Sequence, residues 1–148
     1  MRCNCGIDPK HLTDQWLIAE QCELLMITGN LLKRNYISNR DIPLKLQLGK
    51  GHMKFWYNKL FYLNNRHREV KNEVKLRGFK VTDKIIDLSQ FPLRLCNDWS
   101  PTQRDQDILK QRLLWKLINK PDIWRKNSAP IILNDFYDVL KHSLLYFV

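Results

Sequence analysis

The stretch Asp14-Gln15-Trp16-Leu17-Ile18-Ala19-Glu20-Gln21-Cys22-Glu23-Leu24-Leu25 decides the reading of the fold. Leu17, Leu24 and Leu31 recur at helical spacing with Ile18, Leu25 and Leu32 beside them, where a strand would show strict alternation. Upstream, Asp8-Pro9 supplies an N-cap and a first helical residue, so the pattern predicts a long first helix over residues 9–34. Its other face carries Trp16, Glu20, Glu23 and Ile27 in successive turns, which sets two carboxylates away from the leucine stripe. Gly29 within this helix costs about 1 kcal/mol relative to Ala, a cost that close packing would explain.

Further along, residues 36–50 hold Pro43 and Gly49 and read as a loop. A second helix begins near Met53 or Lys59, turns Leu60, Leu63, His67, Val70 and Val74 inward, and stops at Gly78. Lys54, Lys59, Arg66, Arg68, Lys71 and Lys75 are expected on its exposed sides. Residues 81–99 mix turn residues with short apolar pairs and read as irregular. Ser100-Pro101 opens a third helix that runs to about Asn119, with Ile108, Leu109, Leu113 and Leu117 toward the core, and Lys120-Pro121 ends it. In residues 131–148, Ile132, Phe136, Leu140 and Leu144 suggest a fourth, packing helix. No strand pattern, internal repeat or low-complexity linker interrupts this order. The expected fold is all-α, a single compact domain over residues 1–148 with three main helices, long irregular loops and an extra C-terminal helix.

With 44% apolar residues in a chain of 148, one real core can form, which argues against disorder. Lys and Arg total 25 against 15 acids, for a net charge of +10. The excess is uneven, since residues 45–84 hold eleven Lys or Arg but only Glu69, Glu73 and Asp83 as acids. Such a surface favours a polyanionic partner, nucleic acid above all. No apolar run approaches the roughly 20 residues needed to span a bilayer, and no signal-peptide pattern opens the chain. The chain is therefore expected to be soluble and intracellular. Cys3, Cys5, Cys22 and Cys96 form no C-x-x-C pair and would remain thiols in a reducing compartment. Cys3, Cys5 and His11 lack the second ligand pair of a metal site, so no metal is expected. The Gly49-Lys50-Gly51-His52 run lacks the spacing of a phosphate-cradling loop, and its paired glycines instead permit close backbone approach.

Met1-Arg2-Cys3-Asn4 and the segment over residues 14–25 bring a free terminal amine and a helix-borne carboxylate into one short sequence. Read with Leu48-Gly49-Lys50-Gly51-His52 and Arg112-Leu113-Leu114-Trp115-Lys116, they resemble the phage endonuclease V type of pyrimidine dimer DNA glycosylase and abasic-site lyase. The resemblance runs from the N-terminus to about Trp124 and leaves residues 125–148 as a divergent extension. It implies a monomeric helical protein that kinks damaged double-stranded DNA and flips a nucleotide out of the stack, with no cofactor.

The resemblance also assigns roles. The nucleophile of the family is the amine of the mature N-terminal residue just before an Arg. That places it on Met1, which the bulk of Arg2 keeps from being trimmed. An α-amine has a pKa near 7.7–8.0, so an appreciable part is unprotonated at neutral pH. The A-E-x-x-E-L match over Ala19, Glu20, Glu23 and Leu24 puts the catalytic carboxylate on Glu23. Glu20, one turn earlier, either is structural or orients the terminal segment. Arg2, Gln15, Arg112 and Lys116 match family positions at the DNA, and His67 stands where the family has a DNA-near Gln. His52 is expected to be structural or close to DNA. The chain departs from the family at Cys22 and Met26, which replace two phosphate-gripping Arg residues, and at Trp16, which replaces a His. Two alternatives remain open: an enzyme of the same chemistry acting on another modified base or on abasic sites alone, and a basic DNA-binding protein without catalysis.

Overall fold

The computed structural model describes residues 3–35 and 37–132. Met1, Arg2 and the fourth helix expected over residues 131–148, from residue 133 onward, lie outside the described residues. Among the described residues four α-helices carry the fold: α1 (Asp14–Leu32), the single-turn α2 (His52–Phe55), α3 (Leu60–Leu76) and α4 (Gln103–Asn119). The fold class is all-α. A two-residue antiparallel hairpin, β1 (Arg125–Lys126) with β2 (Ala129–Pro130), is an addition that the sequence pattern did not suggest. Its turn residues Asn127 and Ser128 both have positive φ, 50° and 66°, as the tight turns matched to strand twist require.

The first helix starts later than Asp8-Pro9 suggests. Those residues make a separate 3-10 turn, Pro9–His11, and Thr13 then caps α1 by accepting the Trp16 N–H at 3.2 Å. The third predicted helix likewise begins at Gln103, because Thr102 and Asp105 form a reciprocal capping box just past Pro101. The second start signal resolves into two elements, with α2 and a 3-10 turn at Trp56–Asn58 preceding α3. Residues 81–99 contain two further 3-10 turns, Leu88–Gln90 and Leu93–Leu95.

Two apolar clusters fill the interior. One joins Leu24, Ile27 and Leu31 of α1 to Phe55, Trp56, Tyr57, Leu60 and Leu63. The other joins Leu12, Trp16 and Leu17 to Val70, Val74, Leu113, Leu117 and Trp124. The expected inward set of α3 is buried throughout, and in α4 Leu109, Leu113 and Leu117 are buried while Ile108 is half-buried. The face of α1 expected to stand away from its leucines is also inside. Trp16, Glu20 and Ile27 are buried, and of the expected apolar stripe Ile18 and Leu32 turn outward. That reversal has a physical cause on α3, where Arg66, expected at the surface, is only 4% exposed and neutralises Glu20.

Gly29 does not serve close packing, since a Cβ there would meet nothing within 4 Å. Gly29→Ala should therefore raise stability by about 0.5–1 kcal/mol through helix propensity and a less flexible unfolded chain. A higher urea midpoint at unchanged slope would be the signature, and a lower midpoint would contradict it. Gly51 is different. It caps α2 at φ 97°, and a Cβ would lie 2.9 Å from the Gln47 side-chain oxygen.

Candidate functional site

The chain enters the described structure already inside the protein, with Cys3 and Cys5 fully buried and Asn4 1% exposed. What holds it there is a buried ion pair. Arg66 Nε donates to Glu20 Oε1 at 2.9 Å, and Arg66 Nη2 donates to Glu20 Oε2 at 3.2 Å. The same guanidinium donates from Nη1 to the Ile7 carbonyl at 2.6 Å and from Nη2 to the Asn4 carbonyl at 3.0 Å. Glu20 in turn accepts the Asn4 backbone N–H at 3.1 Å and the Asn4 Nδ2–H at 3.0 Å. A buried charge pair is tolerable only when its remaining donors and lone pairs are satisfied, and this one meets that condition by taking the N-terminal backbone as its partner. Burial opposes the Arg66 charge, and the Glu20 carboxylate overcomes it and holds the guanidinium protonated above its ordinary range. Of the two roles open for Glu20 from sequence, anchoring the terminal segment is the one its contacts perform.

Two further groups complete the anchor. Arg112 of α4 donates from Nη2 to Asn4 Oδ1 at 2.8 Å. His52, 2% exposed, accepts the Cys3 N–H on Nε2 at 3.4 Å while its Nδ1 lies 2.7 Å from the Gln47 carbonyl. Those partners require Nδ1 to carry the proton and leave Nε2 as acceptor, so His52 acts as a neutral structural ring. Gly6 closes the turn beyond, where a Cβ would lie 2.9 Å from the Pro101 ring.

Glu23 lies one turn after Glu20 on α1 and is half-buried. Cys22 is exposed beside Glu23, and Met26, 55% exposed, lies on the next turn. Two of the three departures from the expected pattern are thus surface positions. Trp16 is in the core, with its ring centroid 4.7 Å from that of Trp124.

The other expected contacts divide. Lys116 is half-buried beside a recess of about 380 Å³ formed with Trp115, Asn119, Lys120, Ile123 and Trp124. Gln15 is engaged at both ends of its amide: Nε2 donates to the Ile123 carbonyl, and Oε1 accepts the Arg125 N–H at 3.1 Å. It clamps the segment after α4. Its neighbour Asp14 accepts from the N–H groups of Asn127 and Ser128 at 3.0 and 2.8 Å. His67 is 1% exposed within the packed face of α3. A larger cleft of about 610 Å³ carries Asp8, Glu69, Glu73 and Asp98 on its walls, a charge that repels polyanions. Glu23, Arg112 and Lys116 do not line it.

Sequence reasoning missed Asn4, Glu20 and Arg66 as a unit. Local signals existed for Asn4, in the match over residues 1–4, and for Glu20, in the A-E-x-x-E-L match, but none linked either to Arg66. Lys59 is a second amine of unusual acidity, pushed down to about 8 by burial. Its Nζ is spent on the Phe55 carbonyl and Asn58 Oδ1, both at 2.8 Å, over the Phe55 ring.

Burial also pushes His52 and His67 below the ordinary histidine range. Folding therefore excludes protons that the unfolded histidines take up below about pH 6.5. Their contribution to stability is complete above that pH and drains as pH falls toward the folded values. Each group contributes a slope of up to about 1.4 kcal/mol per pH unit. Melting curves between pH 7 and 5 should show this loss, and His52→Gln should make it shallower. A wild-type curve flat over that window would refute the assignment.

No helix among the described residues is long and apolar enough to cross a membrane. Residues 4–87 match the family model described as pyrimidine dimer DNA glycosylase. The span takes in the anchor, Glu23 and all of α3, while Arg112 and Lys116 lie beyond it. It covers more than half of the chain, and the chain accordingly belongs to the pyrimidine dimer DNA glycosylase family.

Proposed function

We propose that this protein acts as a monomer on cyclobutane pyrimidine dimers in duplex DNA, as a glycosylase and abasic-site lyase that works through an imine on the α-amine of Met1. The observation that carries this reading is the anchoring of Asn4 to Glu20 on the helix that bears Glu23, one turn before that carboxylate. The unprotonated amine attacks C1′ of the flipped nucleotide, and the glycosidic C–N bond breaks with its electrons on the departing base. The sugar ring then opens, the C1′–O4′ bond breaking as O4′ takes a proton and the nitrogen loses one, which gives the imine. Removal of a C2′ proton then breaks the C3′–O bond, and the 3′ phosphate leaves. Water finally hydrolyses the imine and frees the amine. Glu23 stabilises positive charge on the sugar in the first stage and moves the proton in the second. Arg2, Arg112 and Lys116 hold phosphates. The burial of His67 and the clamp made by Gln15 favour positioning roles over DNA contact for those two.

A narrower reading has support in one feature. Cys22 and Met26 present no charge on the exposed flank of Glu23, so grip on an intact lesion duplex is weaker there than a pair of Arg would give. Activity confined to abasic duplex would select that narrower reading.

Borohydride trapping tests both. Untagged protein mixed with a duplex carrying one thymine dimer should give a covalent adduct that maps to Met1. Extra residues before Met1 should remove the adduct and the strand cleavage together. An adduct on Lys59, or full turnover by the extended protein, would defeat the α-amine mechanism.

A further inference from the structure

We propose that Asn4 is a positioning residue that couples phosphate capture by Arg112 to the placement of the terminal amine. The inference rests on the imine reading above and adds a residue to it. Asn4 is 1% exposed, and its side chain faces two ways. Its Nδ2 donates to Glu20 at 3.0 Å, inside the protein, and its Oδ1 accepts from Arg112 at 2.8 Å. The backbone is held as well, with the N–H on Glu20 and the carbonyl on Arg66. Through its side chain and its backbone, Asn4 therefore ties α1, α3 and α4 together three residues from the chain's first amine.

The geometry makes Arg112 more than a surface cation. Its guanidinium is a rigid planar fork, so a phosphate gripped by that fork sets the plane, and the plane sets Asn4 Oδ1. Asn4 passes this orientation to the backbone that leads to the amine. The Glu20–Arg66 pair keeps that backbone from swinging in response. Reacting groups lose about a hundredfold in rate when misplaced by 1 Å, so a fixed terminal segment is a large part of what this chemistry needs.

The test separates binding from placement. Single-turnover trapping at saturating abasic duplex is measured for wild type, Asn4→Ala, Arg112→Lys and the double variant, with DNA affinity measured alongside. Asn4→Ala should trap about 10- to 100-fold more slowly with affinity changed less than about threefold. Arg112→Lys keeps the charge but loses the fork, so it should show a similar loss of rate, and its half-buried site puts the fold at little risk. The double variant should be no slower than the worse single one. Ile7→Val, trimmed next to the anchor without touching its polar contacts, controls for stability and should trap at the wild-type rate. Wild-type rates in Asn4→Ala, a loss matched by Ile7→Val at equal melting temperature, or multiplicative losses in the double variant would each overturn the proposal. A wild-type protein that yields no Met1 adduct would instead remove the imine reading, and the coupling with it.

Discussion

Glu23→Gln should lower dimer-directed strand cleavage by about a thousand- to ten-thousandfold while affinity for the damaged duplex stays within a few fold. The substitution keeps the size and half-buried packing of the side chain, so α1 and its cores should be undisturbed. It removes the negative charge that the sugar needs as the base departs, and the group that takes the C2′ proton. A second carboxylate stands one turn away, yet Glu20 cannot take over. It is fully buried, and both its oxygens are occupied, Oε1 by Arg66 and the Asn4 N–H, Oε2 by Arg66 and Asn4 Nδ2. The expected outcome is a protein that melts like wild type, shifts damaged duplex in a gel and leaves it uncut. Cleavage within tenfold of wild type would remove Glu23 from the chemistry.

The largest loss of stability should come from Arg66→Ala. Removing the guanidinium leaves the Glu20 carboxylate 0% exposed and without its cation, strips the Ile7 carbonyl of its Arg66 donor and leaves the Asn4 carbonyl with only the Ile7 N–H. Breaking a buried pair from one side costs about 3–5 kcal/mol. For a chain of 148 residues that lowers the melting temperature by on the order of 10 °C. The asymmetry is instructive. Replacing both partners at once, as in Glu20→Gln with Arg66→Met, should cost less than Arg66→Ala alone, because no uncompensated charge remains inside. That double variant should still bind DNA but cleave poorly, since residues 3–7 would have lost their hold. A midpoint shift below about 1 kcal/mol for Arg66→Ala would mean that the pair is not the anchor described.

Legibility in the sequence tracked the range of the interaction that decided each feature. The inward set of α3 could be read directly, because periodic apolar residues bury themselves with whatever partner is present. Gly78 marked the end of that helix for a similarly local reason, since it has φ 78° just after the Arg77 C-cap. The start of α1 was misplaced by a competing local signal, as Asp8-Pro9 caps a 3-10 turn that Arg77 then stitches down through the carbonyls of Pro9, Lys10 and Leu12. The burial of Glu20 was not legible at all. It depends on Arg66, 46 positions away, and a carboxylate on a helix looks the same whether it meets water or a guanidinium. The candidate site divides along the same line. Glu23 and Arg112 stood out through family pattern, while Asn4 gains its meaning only from three partners on three different helices. Gln15 was expected near DNA from its family match, and nothing near it in sequence shows that residues 123 and 125 return to it.

The hairpin turn received by Asp14 bears on the order of events during synthesis. Residues 127 and 128 must leave the ribosome before the start of α1 gains those two bonds, and Arg112 must leave before Asn4 gains its outer partner. Asn4 and the start of α1 are thus among the last parts to be fully locked, and a nascent chain carries them without those bonds for most of its elongation. Enzymes that deformylate or acetylate a new N-terminus work during that interval, before any folded surface limits them. On the proposed imine mechanism, whether the amine stays free is settled by a race at the ribosome, well before the protein meets its substrate.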